Sequence, residues 1–407
     1  MAREGQEEMS KLEKLLANLC PNGVEYKPLD EVCRIEKGIQ FNKTDMLKQG
    51  TYPVINGGTG PSGFIEKFNQ QGKTTTISQG GASAGWVNWL ETDFWAGAHC
   101  YVVKAKPDVV LSRYVYYFVK SQERKLQECQ YGAGIPALAK STVAQLEIPV
   151  PPLEVQEEIV RILDAFTELT AELTAELRAR QQQYEHYRDA LLSFDDVNNK
   201  LHTGGVTGKA VAWKTLGEIA TFTYGLTDKS KANGALRYIR ITDINDDGLL
   251  KVDDARYVES SLEAEKFRLK RGDLLVARTG ATYGKTLYVQ DDNPAVYASF
   301  LIKIALDESL IKNRYYWHFS KSTSYWKQAN ALVSQGGQPQ FNSNALCKIR
   351  IPLPPLDVQQ RIVETLDRFD SLVNSISEGL PAEIEARRKQ YEFYRDKLLS
   401  FKRVEVA

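Results

Sequence analysis

The chain has 407 residues, 43% of them hydrophobic and 26% charged, which is globular composition with material for two cores rather than one. Its 52 basic and 52 acidic residues cancel, so the basic excess usual in a stand-alone DNA binder is missing. No apolar run reaches the ~18 residues of a membrane span, and the polar, acidic start from Met1 to Glu7 does not read as a secretion signal.

Apolar residues at Met9, Leu12, Leu15, Leu16 and Leu19 predict a helix over 8–19, stopped by Pro21-Asn22-Gly23. From Tyr26 to about Glu147, short alternating runs punctuated by glycine predict strands at 74–78, 101–103 and 145–150, with a flanking helix over 112–129. Pro151-Pro152 then opens a stretch from Leu153 to Phe194 that contains no proline or glycine. Its apolar residues, among them Ile159, Leu163, Phe166, Leu173, Leu177, Tyr184 and Tyr187, are mostly spaced by three or four. That predicts one helix of roughly 40 residues, about 60 Å long, with a narrow coiled-coil stripe. Polar, glycine-rich residues 195–209 read as a linker. Strands are expected again at 237–241, 273–278 and 300–304, and a helix over 313–329. A second helical block starts at Pro354-Pro355 and should break near Glu378-Gly379-Leu380-Pro381, with Pro381 opening the next helix.

The two halves are copies. Residues 148–166 (IPVPPLEVQEEIVRILDAF) and 351–369 (IPLPPLDVQQRIVETLDRF) agree at 12 of 19 positions. Residues 177–194 (LRARQQQYEHYRDALLSF) and 384–401 (IEARRKQYEFYRDKLLSF) agree at 12 of 18. The preceding regions correspond faintly: Gly81 and Gly85 with Gly280 and Gly284, Arg113-Tyr114 with Arg314-Tyr315, and Gly134-Ile135-Pro136 with Gly337-Gln338-Pro339. A repeated scaffold with different loops places binding specificity in the loops.

Catalytic patterns fail on inspection. Gly58-Thr59-Gly60-Pro61-Ser62-Gly63 is a formal GxGxxG, but strand-like Phe64-Ile65 follows where a dinucleotide site needs a helix. Gly280-Ala281-Thr282-Tyr283-Gly284-Lys285-Thr286 is one residue short of a phosphate-binding loop, which leaves Lys285 as a candidate phosphate contact. Asp108, Glu123 and Lys125 fit a nuclease spacing, yet Glu123 falls on a predicted helix and the second half has no counterpart. His99, His186, His202 and His318 lack metal-ligand spacing. The cysteines Cys20, Cys33, Cys100, Cys129 and Cys347 form no CxxC pair, and buried thiols in a reducing cytoplasm are expected.

The helical blocks resemble the constant regions of type I restriction–modification specificity subunits, and the resemblance covers the whole chain. The tandem Thr170-Ala171-Glu172-Leu173-Thr174-Ala175-Glu176-Leu177 is similar to the type IC subgroup, where the number of such tetrapeptides sets the spacing between half-sites. Four added helical residues lengthen a helix by about 6 Å and rotate its downstream part by about 40°. The resemblance implies an α+β fold: two mixed α/β target recognition domains separated by a pair of long antiparallel coiled-coil helices in a pseudo-twofold repeat. The domains would span 1–147 and 210–350, the helical spacers 148–194 and 351–407, and the linker 195–209.

It also implies that each domain binds half of an asymmetric, bipartite double-stranded DNA site. The helices would dock two methyltransferase subunits, and two restriction/translocase subunits would complete the enzyme. S-adenosylmethionine, ATP and Mg2+ would sit on those partners, with no cofactor, metal or catalysis on this chain.

Base and phosphate contacts need polar and cationic loop residues. In the first domain these are Lys37, Gln40, Asn42, Lys43, Asn56, Lys73, Gln79, Ser83 and Trp86. In the second they are Lys229, Lys231, Arg237, Arg240, Arg278, Thr279, Thr282, Tyr283, Lys285, Gln335, Gln338 and Gln340. Stretches 278–285 and 335–340 stand out because polar donors alternate there with glycine. Leu163, Phe166, Leu173, Leu177, Leu366 and Phe369 are the candidate spacer and docking residues. A DNA-binding adaptor without a partner enzyme, or a nuclease built on Asp108, would be the competing readings.

Overall fold

A computed structural model describes residues 2–132, 134–194, 211–251, 253–334, 339–374 and 379–404. The linker expected at 195–209, Gln335, Gln338 and Glu378 lie outside the described residues. The chain forms two compact units, unit 1 from Met1–Glu172 and Ile384–Ala407, and unit 2 from Leu173–Glu383. The division falls inside the tandem tetrapeptide at 170–177 and at the start of the last repeated block, so each unit takes helical residues from both copies.

Unit 1 begins with helix α1 (Ala2–Leu19). Strand β1 (Glu25–Pro28) pairs antiparallel with β9 (Glu147–Val150), which joins the two ends of the globular part. A four-stranded antiparallel sheet runs β2 (Cys33–Lys37), β8 (Cys100–Ala105), β5 (Thr74–Ser78), β6 (Val87–Leu90). A smaller sheet runs β4 (Gly63–Ile65), β3 (Tyr52–Ile55), β7 (Trp95–Ala96), with the last pair parallel.

Unit 2 repeats this order strand for strand. β10 (Ala212–Thr215) pairs with β18 (Arg350–Leu353). The large sheet runs β11 (Ala220–Tyr224), β17 (Leu301–Leu306), β14 (Leu274–Ala277), β15 (Thr286–Tyr288). The small one runs β13 (Tyr257–Val258), β12 (Leu236–Ile239), β16 (Ala295–Tyr297), the last pair again parallel. The apolar run of β14 is covered on both faces. Leu274 and Val276 enter one core and Leu275 and Ala277 another, as a period of two requires.

The flanking helices are shorter than expected. Residues 112–129 form α2 (Ser112–Ser121) and α3 (Glu123–Glu128), and residues 313–329 fall in α5 (Asn313–Phe319) and α6 (Thr323–Leu332). Serines stand at both breaks, where their hydroxyls bond back to helix carbonyls, and Ser322 also caps the start of α6 by accepting Tyr325 N–H. Ser121 donates to Phe118 O, and Ser320 and Ser322 donate to Trp317 O and Phe319 O, all at 2.7 Å.

The long helix α4 (Leu153–Ser193) is unbroken, 41 residues as the pattern demanded. The second block is α7 (Leu356–Asn374) and α8 (Gly379–Leu398). Gly379 has φ +79°, and a Cβ there would stand 2.6 Å from Leu372 O, so the break depends on glycine. Pro381 lies inside the first turn of α8 rather than opening it, a position where its missing N–H costs nothing.

Each helix is fastened to the globular part before it by a fully buried glutamine. Gln156 Oε1 accepts Leu111 N–H (2.9 Å), and its Nε2 donates to Val109 O (3.0 Å) and Pro151 O (2.8 Å). Gln359 does the same with Lys312 N–H (3.0 Å), Leu310 O (2.9 Å) and Pro354 O (2.9 Å). Two turns on, Arg113 pairs with Asp164 (2.7 Å) and Arg314 with Asp367 (2.8 Å).

The helical copies meet by exchange. In unit 1 Phe166 stacks on Tyr394, with ring centroids 5.5 Å apart and 21° between planes. In unit 2 Phe369 stacks on Tyr187, at 5.5 Å and 24°. Leu163 and Leu366 are fully buried in the two cores, so they seat the helices and no partner subunit can reach them. Phe166, Phe369 and Leu177 pack at the edges of those cores, and Leu173 is half-buried.

Gln156→Ala or Gln359→Ala leaves one backbone N–H and two backbone carbonyls, buried or partly buried, without that partner. Each is expected to lower stability by about 2 kcal/mol or more in urea unfolding, while Gln360→Ala on the exposed face changes it by less than about 0.5 kcal/mol. Equal effects from all three variants would rule the clamp out.

His318 gives a second test. It is fully buried, and its Nε2 lies 2.7 Å from Asp367 Oδ1 where Tyr117 meets Asp164 in unit 1. Burial pushes its pKa from 6.5 down to about 4, against the opposing bond to Asp367. Between those values the unfolded chain binds a proton that the folded chain refuses, so stability rises with pH through the window and is lost as pH falls. His318→Tyr should flatten the difference in unfolding midpoint between about pH 7 and about pH 5. An unchanged difference would assign the acid sensitivity to other groups.

Candidate nucleic-acid interface

At one end of each large sheet two loops lie against each other. In unit 1 the turn after β5 (residues 79–86) meets the loop at 130–138. Gly81 N–H donates to Pro136 O (2.9 Å), and Leu138 N–H donates to Gln79 O (2.7 Å). In unit 2 the turn after β14 (residues 278–285) meets the chain at 339–341. Gly280 N–H donates to Pro339 O (3.2 Å), and Phe341 N–H donates to Arg278 O (2.7 Å). The faint sequence correspondences are therefore hydrogen-bonded to each other. Gly81, Gly85, Gly280 and Gly284 all have positive φ, from 69° to 87°, which explains why these turns need glycine.

The first-copy candidates divide by place. Gln79 and Ser83 are in the platform turn. Asn56 reaches it through His99: Asn56 Oδ1 accepts His99 N–H (3.1 Å), and Gln79 N–H donates to His99 O (2.8 Å). Lys37 is exposed at the same end of the sheet, across Tyr101 from Ile77. Gln40, Asn42 and Lys43 are exposed in the segment after β2. Trp86 donates to Asn88 Oδ1 (2.8 Å) under the Lys120 ammonium, 4.3 Å from its ring. Lys73 precedes β5 and so sits at the opposite end of that strand, away from the platform.

In the second copy Arg278, Thr279, Thr282, Tyr283 and Gln340 are in the platform, where Thr279 forms a β-bridge with Gln340. Thr279 is buried, and Tyr283 donates to Asn330 Oδ1 (2.8 Å). Several cations have carboxylate partners within the chain. Arg240 is held by Asp243 (2.7 Å) and Asp254 (3.2 Å), Lys231 by Glu259 (3.2 Å), and Lys285 by Asp246. Arg237 donates to Lys251 O. Lys229 is exposed.

Sequence reasoning missed Tyr224, Phe300, Tyr131 and Ile135, large apolar side chains left in solvent at the platforms. Aligning the residue before β8 with that before β17 would have drawn attention to His99 and Phe300.

The nuclease triad does not assemble as a cation site. Glu123 accepts Val87 N–H (2.8 Å) and pairs with Lys120 (2.6 Å), capping β6. Among the described residues no group of three or more His, Cys, Asp or Glu side chains is placed to hold a metal ion. No described helix is long and apolar enough to cross a membrane. All five cysteines are free; Cys33 and Cys100 are buried as expected, and Cys129 is exposed.

A duplicated α/β scaffold with two-loop platforms, each seated on a long helix, defines a tandem recognition chain. Its sequence matches the type I restriction modification DNA specificity domain twice, over residues 21–180 and 210–386. It is 34% identical to a putative type I restriction enzyme specificity subunit of Haemophilus influenzae, covering 96% of this chain and 98% of that protein. It is 32% identical to the EcoR124I/EcoR124II specificity subunit of Escherichia coli, covering 98% and 99%. The S subunit structure from M. genitalium superposes with a TM-score of 0.61 at 19% identity, covering 93% of this chain and 96% of that one. A chain from a type I restriction–modification assembly gives 0.56 at 15% identity, covering 94% and 98%. The chain belongs to the type I restriction–modification specificity subunits.

Proposed function

We propose that each unit reads one half of an asymmetric, bipartite double-stranded DNA site, with the two platforms as the reading surfaces. The carrying observation is the pair of platforms, built from the same backbone hydrogen bonds but bearing different side chains. Two copies of one reader would be redundant on a site with identical halves; different side chains call for different halves. The chain supplies recognition only. The methyl transfer from S-adenosylmethionine and the ATP- and Mg2+-dependent restriction steps belong to partner subunits, two of each kind, in the cytoplasm.

The helices act as spacer and dock. Because Leu163 and Leu366 are internal, the docking face falls to exposed helical side chains such as Phe393 and Leu372. Local charge is modest since so many cations are internally paired, and partner subunits add to the grip on phosphates.

The test is to co-express the chain with the modification subunit of its system and map methylated adenines genome-wide. Two defined halves around a fixed unspecified spacer are expected. A continuous palindrome, or methylation by the chain alone, would overturn the reading. Deleting residues 174–177 removes about 6 Å of helix and is expected to shorten the spacer by about one or two base pairs while both halves persist. An unchanged spacer would remove the helix from the role of ruler.

A further inference from the structure

One side chain leaves the scaffold at the same point of each unit. Gln79 and Arg278 follow the central strands β5 and β14 by one residue. Each N–H donates to the carbonyl of the residue before the neighbouring strand, His99 (2.8 Å) or Phe300 (3.1 Å). Each carbonyl accepts from the closing loop, Leu138 N–H or Phe341 N–H, both at 2.7 Å. The backbones are held identically, and only the side chains differ.

Each side chain keeps one polar atom that the fold does not satisfy. Gln79 Oε1 and Arg278 Nε are shielded from solvent without a hydrogen-bond partner. Among the described residues Arg278 has no carboxylate within ion-pair distance, unlike Arg240, Lys231 and Lys285. Its guanidinium lies over the rings of Tyr224 (5.0 Å) and Phe300 (5.6 Å), which are 36% and 51% exposed. Ring faces steady a guanidinium while leaving its fork free of any carboxylate. Unsatisfied polar atoms and exposed rings at one spot weaken a fold, and persist where a ligand completes them.

The two side chains differ in what they recognise. A glutamine amide offers a donor beside an acceptor, matching the adenine N6 amino group and N7. An arginine fork offers two donors, matching guanine O6 and N7.

We propose, resting on the half-site reading above, that Gln79 and Arg278 are equivalent base-reading positions, Gln79 for an adenine and Arg278 for a guanine. The swap of chemistry at one scaffold position is then what makes the two half-sites differ at that step.

The experiment maps methylated adenines for the full chain in complex with its modification subunit, as wild type and as Gln79→Arg, Arg278→Gln and Arg278→Lys. Complex formation and thermal unfolding are followed in parallel. Arg278→Gln is expected to change one base of the second half, away from guanine, and to leave the first half alone. Gln79→Arg is expected to change one base of the first half only. Arg278→Lys keeps the charge but loses the fork, and discrimination at that base should fall roughly 10- to 100-fold. If Arg278→Gln fails to assemble, Arg278→Lys carries the readout for the second half; if Gln79→Arg fails, Gln79→Asn, which shortens the amide, carries it for the first, where discrimination at one base should fall. A bipartite motif unchanged in the variants overturns this inference and leaves the half-site reading standing. Uniform weakening with no change of base also overturns it, since that is the mark of a phosphate contact. A wild-type motif without two halves overturns the half-site reading and this inference with it.

Discussion

A buried glutamine at the first turn of each long helix sets the geometry on which the rest depends. Gln156 and Gln359 have no exposed surface, and each amide makes three hydrogen bonds to backbone groups of the globular part and the Pro-Pro lead. Only a neutral amide offers acceptor and donors together at that place; a carboxylate has no donor and a lysine no acceptor. The ion pairs Arg113–Asp164 and Arg314–Asp367 give a second anchor two turns further on. Two anchors on one helix fix its direction as well as its start relative to the globular part that precedes it.

The exchange of helical blocks is a consequence of the duplication. The apolar stripe of a lone helix has nothing to cover it, and the nearest complementary stripe is that of the other copy. The aromatic pair is therefore the same in both units with the donors reversed: Phe166 with Tyr394, Tyr187 with Phe369. The last residues of each block finish the exchange. Leu399 and Phe401 pack in the core of unit 1, while Leu192 and Phe194 pack in that of unit 2. Each core thus contains residues of both helical copies. One divergence has entered the contact itself, where Tyr117 in unit 1 is His318 in unit 2. Tyr117 meets the ring of Tyr391, while His318 lies 3.5 Å from the Tyr184 hydroxyl.

The helices were legible because their signal is periodic and local. Leu153 to Phe194 carried its length, its proline start and its stripe in plain view, and Gly379 announced the break. The short flanking helices were overrun because serines at the breaks, Ser121 in one copy and Ser320 and Ser322 in the other, leave the apolar spacing undisturbed. The sheets showed only their central strands. Two-residue strands such as Trp95–Ala96 have no periodicity to read. The platform was half legible. Its glycines and Pro136 were paired across the copies in sequence, but their hydrogen bonds to each other join segments some 55 residues apart, from 81 to 136 and from 280 to 339. Polar residues in loops looked alike in sequence, and only the ion pairs separated Arg240 and Lys285 from Arg278.

The platform backbone also explains how one scaffold accepts different readers. Its bonds run from glycine N–H to proline carbonyl and from loop N–H to strand-end carbonyl, so no side chain is needed to close it. Positive φ at the two turn glycines is the main steric demand, and those positions are kept. The side chains between and beside them, 79 with 278, 83 with 282 and 86 with 285, take no part in those closing backbone bonds. In the first unit they are Gln, Ser and Trp, and in the second Arg, Thr and Lys. Closure of the platform thus rests on main chain, which leaves these side chains available for the recognition role proposed above. A domain built that way can acquire a new target by exchanging a few residues, while its seat on the helix stays as it was.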